Sequence, residues 1–183
     1  MNDLPNVPSS IEDSVRRTAL YRQPESENLL YPTQFTFSMN RLPKMSYFVN
    51  KVSIPDFGFE SALDQTTRFV TVRHPGSKLT FGNLEVTFLV DENMETWREV
   101  RDWIESISVL DDFAKIDPNY KDHFSEGTLM ILTSAKNPNI EVTFENLFPI
   151  SISGFEFDAT ATELTGFECR AVFAFDKYSV KKL

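Results

Sequence analysis

The chain has 183 residues, enough for one domain with an extension, and 41% of them are hydrophobic, enough for a real core. A net charge of −9 weighs against tight binding to nucleic acid, whose affinity comes from neutralised phosphates, though not against a surface that nucleic acid must pass without sticking. Six glycines argue against a glycine-rich nucleotide fold, no apolar run reaches the roughly 18 residues of a membrane span, the start MNDLPNVPSSIEDSV lacks the features of a signal peptide, and the single Cys169 excludes an intramolecular disulfide and suits a reducing interior.

Residues 1 to about 30 are polar and carry Pro5, Pro8 and Pro24. Within them Ser10–Tyr21 has the spacing of a short helix, with Ile11, Val15 and Ala19 on one side. The stretch reads either as a flexible tail or as an arm that orders against a neighbouring subunit. The folded domain is expected to occupy residues 31–183.

In that domain Phe35, Phe37 and Met39 alternate with Thr36 and Ser38, the period of a half-buried strand. Arg41-Leu-Pro-Lys44 reads as a turn, and Tyr47–Ile54 as a second strand stopped by Pro55. Asp56–Arg68 holds Phe57 and Phe59 without a clear period, a long loop or an excursion. Phe69–Arg73 is a short strand ending at His74-Pro75-Gly76, and Leu79–Gly82 leads into the next strand. There Leu84, Val86, Phe88 and Val90 alternate with Glu85, Thr87 and Leu89.

At Asp91 the period changes. Asp is a good N-cap, and Glu92 and Glu95 place negative charge where a helix dipole favours it. Trp97, Val100, Ile104 and Ile107 recur at three- and four-residue steps, giving a helix over about 92–108 with these four as its core stripe. Arg98, Arg101, Asp102 and Glu105 fall on the wet side. Val109–Glu126 is polar and irregular, with Asp111, Asp112, Asp117 and Asp122, and a connection of that length is usually functional or mobile.

Thr128–Thr133 reads as a strand, Ala135–Asn139 as a hairpin turn, and Ile140, Val142 and Phe144 as one face of the return. Pro149–Ser153 gives another strand, and Phe155 and Phe157 alternate with Glu156 and Asp158. Thr160–Thr165 turns the chain into what is expected to be the longest strand, Phe167 to Asp176. The fold class is therefore mainly β (α+β): an antiparallel β-sandwich or partly open barrel with one packed amphipathic helix.

A search for chemistry finds little. His74 and His123 have no Cys or second His at ligand spacing, Cys169 sits among apolar neighbours on a strand, and no nucleophile elbow or phosphate loop is present. Asp91–Glu92 and Asp111–Asp112 lack calcium-loop spacing and read as capping and solvated acids. No catalytic residue, metal site or cofactor is expected, and the chain reads as no enzyme. Seven acids, Glu85, Glu141, Glu145, Glu156, Asp158, Glu168 and Asp176, stand opposite apolar faces. They are either an ordinary wet face or, if several copies set that face around a shared space, a negative channel lining that repels a passing polyanion.

The segments LTFGNLEVTFLVDENMETWREVRDWIESI and VTFENLFPISISGFEFDATATELTGFECRAVFAFDKY, in this order after a hairpin with a Leu-Pro turn, resemble the tail tube family of contractile-tailed bacteriophages, including the related tube-initiator proteins of the baseplate. The resemblance covers about residues 31–180. It implies a virion structural protein that forms hexameric rings, with the sheets joining into an inner β-barrel around an acidic bore. Rings stack through loops and terminal arms, here Asp56–Arg68, the N-terminal arm and Val109–Glu126. The implied partners are sister copies, neighbouring tube, sheath or baseplate proteins, and tape-measure protein and DNA that pass without tight binding. The implied place is the virion tail, after assembly in the host cytoplasm. The competing reading is a monomeric β-sandwich module that binds carbohydrate on Tyr47, Phe48 and Tyr120.

Overall fold

The computed structural model describes residues 28–59, 63–66, 68–74, 76, 78–107, 123–160 and 165–183. The chain divides into two units, Met1–Tyr31 and Pro32–Leu183, and every element below belongs to the second. The expected helix at Ser10–Tyr21, most of the expected N-terminal arm, Tyr120 and the acids Asp111, Asp112, Asp117 and Asp122 lie outside the described residues.

Eleven strands and two helices follow in order among the described residues: β1 (Phe35–Met39), α1 (Met45–Phe48), β2 (Val49–Val52), β3 (Phe57–Phe59), β4 (Leu63–Thr66), β5 (Thr71–His74), β6 (Leu79–Phe81), β7 (Leu84–Leu89), α2 (Glu95–Ile107), β8 (Ser125–Leu132), β9 (Pro138–Ile152), β10 (Glu168–Ala174) and β11 (Lys177–Lys182). Seven strands form one antiparallel sheet in the order β1-β8-β9-β10-β7-β2, with β11 also pairing β9. The pairs β3–β6 and β4–β5 stand apart as two-stranded ladders.

The sheet is organised on β9, which is 15 residues long. Its first half pairs β8 (Thr143 opposite Thr128) and also β11 (Thr143 opposite Ser179). Its second half pairs β10, with Ala171 opposite Ile152. Two half-sheets thus share one strand. The inward row of one half is Phe37, Leu129 and Val142, and that of the other is Val52, Val86, Ala171 and Ile152. Phe37, Phe144, Leu147, Leu84, Phe88, Cys169 and Phe173 meet in a single buried cluster.

The sheet must curl. Helix α1 touches both β1 and β7, which are four steps apart in the strand order. On a flat sheet they would be separated by roughly 19 Å, far beyond the reach of a four-residue helix about 6 Å long. The curl stays open: β1 and β2 do not pair in the described structure. This differs from a sandwich of two separate sheets, because β9 runs through both halves.

Sequence and structure part at several elements for physical reasons. The expected strand Tyr47–Ile54 is one helical turn followed by a four-residue strand, since Met45 is fully buried and anchors the turn under the sheet. The two expected strands around Asn146 are one strand. Asn146 takes a left-handed φ of 56°, which Asn tolerates, and absorbs the bend without ending the pairing. The longest strand is β9, not the run toward Asp176, which gives way to β11 after Ala174. Asn146 Nδ2 donates to Asp176 Oδ2 at 2.6 Å, so the bend in β9 is tied to the break between β10 and β11.

Helix α2 begins at Glu95, later than expected, because Met94 adopts a left-handed φ of 55°. Asp91 still caps it: its carboxylate accepts from the Glu95 N–H at 3.2 Å and the Thr96 N–H at 3.3 Å. The buried residues are Thr96, Val100 and Trp103; Trp97 and Ile104 are half-buried and Ile107 lies at the exposed end. The inward stripe is thus centred on Trp103, whose Nε1 donates to the His123 carbonyl at 3.0 Å and whose ring lies 4.9 Å under the Arg41 guanidinium. Lys44 ties α1 to α2 through Glu95 (2.6 Å) and Glu99 (3.5 Å).

Candidate assembly surfaces

Three kinds of surface are left once the core is filled: sheet edges, a protruding hairpin and the outward acids. Among the described residues β1, β2 and β11 pair on one side only. Unpaired edges template further strands unless charged or covered. Edge β11 carries Lys177, Lys181 and Lys182, and β2 carries Lys51, but β1 (Phe-Thr-Phe-Ser-Met) has no charge at all.

The stretch that lacks a period in the sequence folds as a two-level hairpin. β3 pairs β6 and β4 pairs β5, so the chain reverses between Thr66 and Thr71. Its root is aromatic: Phe57 meets Phe81 at 5.5 Å, Phe81 meets Tyr178 at 5.6 Å and Phe175 at 5.8 Å, and Phe175 meets the buried Phe144 at 5.3 Å. Its far end is exposed, with Phe69 at 90% and Val70 at 62%.

The seven candidate channel acids are not one group. Glu85 and Glu168 lie on the outward side of β7 and β10, and Glu168 helps Lys51 and Arg170 to line an open groove of about 490 Å³. Both are paired: Glu168 Oε2 to Lys51 Nζ at 3.0 Å, Glu85 Oε2 to Arg170 Nη1 at 3.6 Å. The bond from Lys51, joined by one from Asn50, holds the Glu168 carboxyl below its ordinary range. Glu141 and Glu145 stand on the other half-sheet, opposite Lys181 and Lys177, and Glu145 pairs with Lys177 at 3.0 Å. Asp176 is held by Asn146. Glu156 and Asp158 lie beyond the end of β9, and no basic side chain pairs with either among the described residues. Hydrogen bonds from the Thr160 hydroxyl and N–H hold the Asp158 carboxyl low.

Beside these last two acids is an aromatic ladder. Trp97, Phe155, Phe157 and Phe167 stack with centroids 5.0–5.9 Å apart, and Phe157 is 75% exposed. Phe155 and Phe157 form no strand here; the alternation reflects this ladder. Sequence reading missed Lys51, Arg170 and Lys177 as partners of the acids, because pairing depends on register. The signal for β11 was present, since Lys177, Ser179 and Lys181 alternate with Tyr178 and Val180.

Burial pushes the Cys169 thiol up, with partial relief from its bond to the Ser153 carbonyl at 3.6 Å. Among the described residues no group of three His, Cys, Asp or Glu could hold a metal, and no helix is long and apolar enough to cross a membrane. Tyr47 and Phe48 meet edge to face at 73°, not as one flat platform for a sugar.

The family described as phage tail tube protein matches residues 13–181, nearly the whole chain. This chain belongs to the phage tail tube protein family. It is a tail tube structural protein, not an enzyme, with its place in the virion tail. No curated protein sequence matches it. Solved structures share the fold. The anti-feeding prophage cap, a tube-terminating cap, is 14% identical over 88% of this chain and 96% of its own, with a TM-score of 0.64. A chain of the extended sheath–tube complex of an extracellular contractile injection system, PVC, is 18% identical over 86% and 94%, with a TM-score of 0.63. The sheath/tube terminator of PVC is 17% identical over 85% and 98%, with a TM-score of 0.61. All three of these chains are matched over nearly their whole length.

Proposed function

We propose that this tail tube protein closes into hexameric rings, stacks into a tube, and provides a bore through which DNA leaves during ejection without adhering. The observation that carries the reading is the open curl of the sheet. Its borders end in β1, β2 and β11, and β1 offers an uncharged edge that a solitary soluble protein would normally blunt. Pairing with a sister copy satisfies that edge, and a closed ring leaves no edge behind. The inner β-barrel then belongs to the assembly and not to the subunit.

The same reading gives the rest of the organisation. The protruding hairpin and the N-terminal arm reach neighbouring rings, sheath or baseplate proteins hold the outside, and tape-measure protein and DNA occupy the bore. Outward acids keep the bore from binding phosphate, although the pairing of Glu85, Glu145 and Glu168 with bases leaves less negative charge than the sequence alone implies.

Negative-stain microscopy of the purified chain tests this. Rings or tubes are expected, and Thr36→Lys, which charges the β1 edge, should abolish them while leaving the melting temperature unchanged. A protein that stays solitary at high concentration overturns the reading.

A further inference from the structure

We propose that the hairpin tip Arg68-Phe69-Val70 of one copy docks on the Phe157 patch of a second copy of this chain. The inference rests on the tube reading and names the two surfaces that meet.

Both surfaces are incomplete alone. Phe69 is 90% exposed, Val70 62% and Phe157 75%, whereas large aromatic side chains ordinarily hide most of their area. The exposure of Phe69 also shows that the tip does not rest on its own patch. Each surface is rigidly backed. The hairpin is rooted through Phe57 and Phe81 in the Phe175–Tyr178–Phe144 cluster. Phe157 leans on Phe155 and Phe167, and Phe155 in turn on Trp97, whose Nε1 is bonded to the Ser153 carbonyl at 3.3 Å.

The charges choose the pairing. The tip presents Arg68, and the patch presents Glu156 and Asp158, two exposed carboxylates without a basic partner among the described residues. The bonds from Thr160 both fall on Asp158 Oδ1, which leaves Oδ2 for an incoming guanidinium. A tip-to-tip contact would set Arg68 against Arg68, and a patch-to-patch contact would set four carboxylates together. Only tip-to-patch joins opposite charges around the three apolar side chains. That contact is heterologous, so it repeats head to tail and extends an assembly instead of ending it as a dimer.

The test uses full-length protein. Phe69→Cys in one preparation and Phe157→Cys in another are mixed under a mild oxidant; the native Cys169 is buried and silent. A disulfide-linked heterodimer is expected in the mixture and in neither preparation alone. In parallel, Arg68→Glu and Asp158→Arg singly should reduce the high-mass fraction in sedimentation at least tenfold, and the double variant should restore most of it. If wild type assembles while the single reversals assemble equally well and no heterodimer forms, this docking is wrong and the tube reading stands. If wild type never assembles, the tube reading itself fails.

Discussion

Lys51 on the edge strand β2 reaches across β7 to Glu168 on β10, Nζ to Oε2 at 3.0 Å. The contact spans a strand and pins the sheet border from its outward side. Asn50 adds a second bond, Nδ2 to Oε1 at 2.8 Å. Because the folded Glu168 carboxyl lies below its unfolded value, the clamp contributes stability above roughly pH 4.3 and loses it as pH falls through the folded value. An NMR titration of Glu168 should give a midpoint below that of a model peptide, and Lys51→Met should move it up.

That clamp also decides which acid probes the proposed bore. Glu168→Lys would set two ammonium groups together and loosen β2, confounding any effect on DNA. Glu141→Lys disturbs no ion pair seen in the structure. Rings of this variant should form normally and retain DNA at low salt, releasing it as salt rises. Filter retention of labelled DNA measures this, and retention equal to wild type shows that Glu141 does not face the channel.

Asp91 holds the start of α2 through two backbone N–H groups. Burial works to raise its carboxyl, but the bonds from Glu95 and Thr96 outweigh it and the net shift is downward. Asp91→Ala should cost about 1 kcal/mol in chemical denaturation, as the loss of a cap usually does. The difference from wild type should shrink as pH falls below the carboxylate range, because the depressed folded value makes the cap's contribution vanish on protonation.

Thr96 is fully buried on α2 and its hydroxyl has no hydrogen-bond partner. Val has the same shape without the stranded polar atom. Thr96→Val should therefore stabilise the protein, by about 1 kcal/mol, read as a higher urea midpoint at constant slope.

Gly127 sits in β8 where any Cβ would collide with Leu147 Cδ1, with Phe37 in ordinary contact behind it at 3.6 Å. Leu147 and Phe37 are both buried, so neither moves freely. Gly127→Ala should destabilise by about 1–3 kcal/mol through overpacking, lowering the thermal midpoint without changing surface chemistry.

Much of the fold was legible. Alternation marked β1, β7 and the two arms of the β8–β9 hairpin, because each has one wet face and one dry face. The α2 stripe was legible in period but not in phase: Trp97 and Trp103 are both three residues from Val100, and only the position of β9 against the helix decides that Trp103 goes deeper. The hairpin root at Phe57–Phe59 was not legible, since both Phe side chains remain exposed and only Gly58 between them is half-buried, so no apolar period is imposed. The continuity of β9 was hidden by Asn146, whose left-handed backbone looks like a break from composition alone. The acids were legible as outward residues but not as partners, because Lys51 and Glu168 are 117 positions apart and meet only through register.

The bend at Asn146, bonded to Asp176 in the break between β10 and β11, lets β9 pass from one half of the sheet into the other without interruption. No seam separates the halves. Amide hydrogens of the two half-sheets should therefore exchange, and the half-sheets melt, as one block rather than as two.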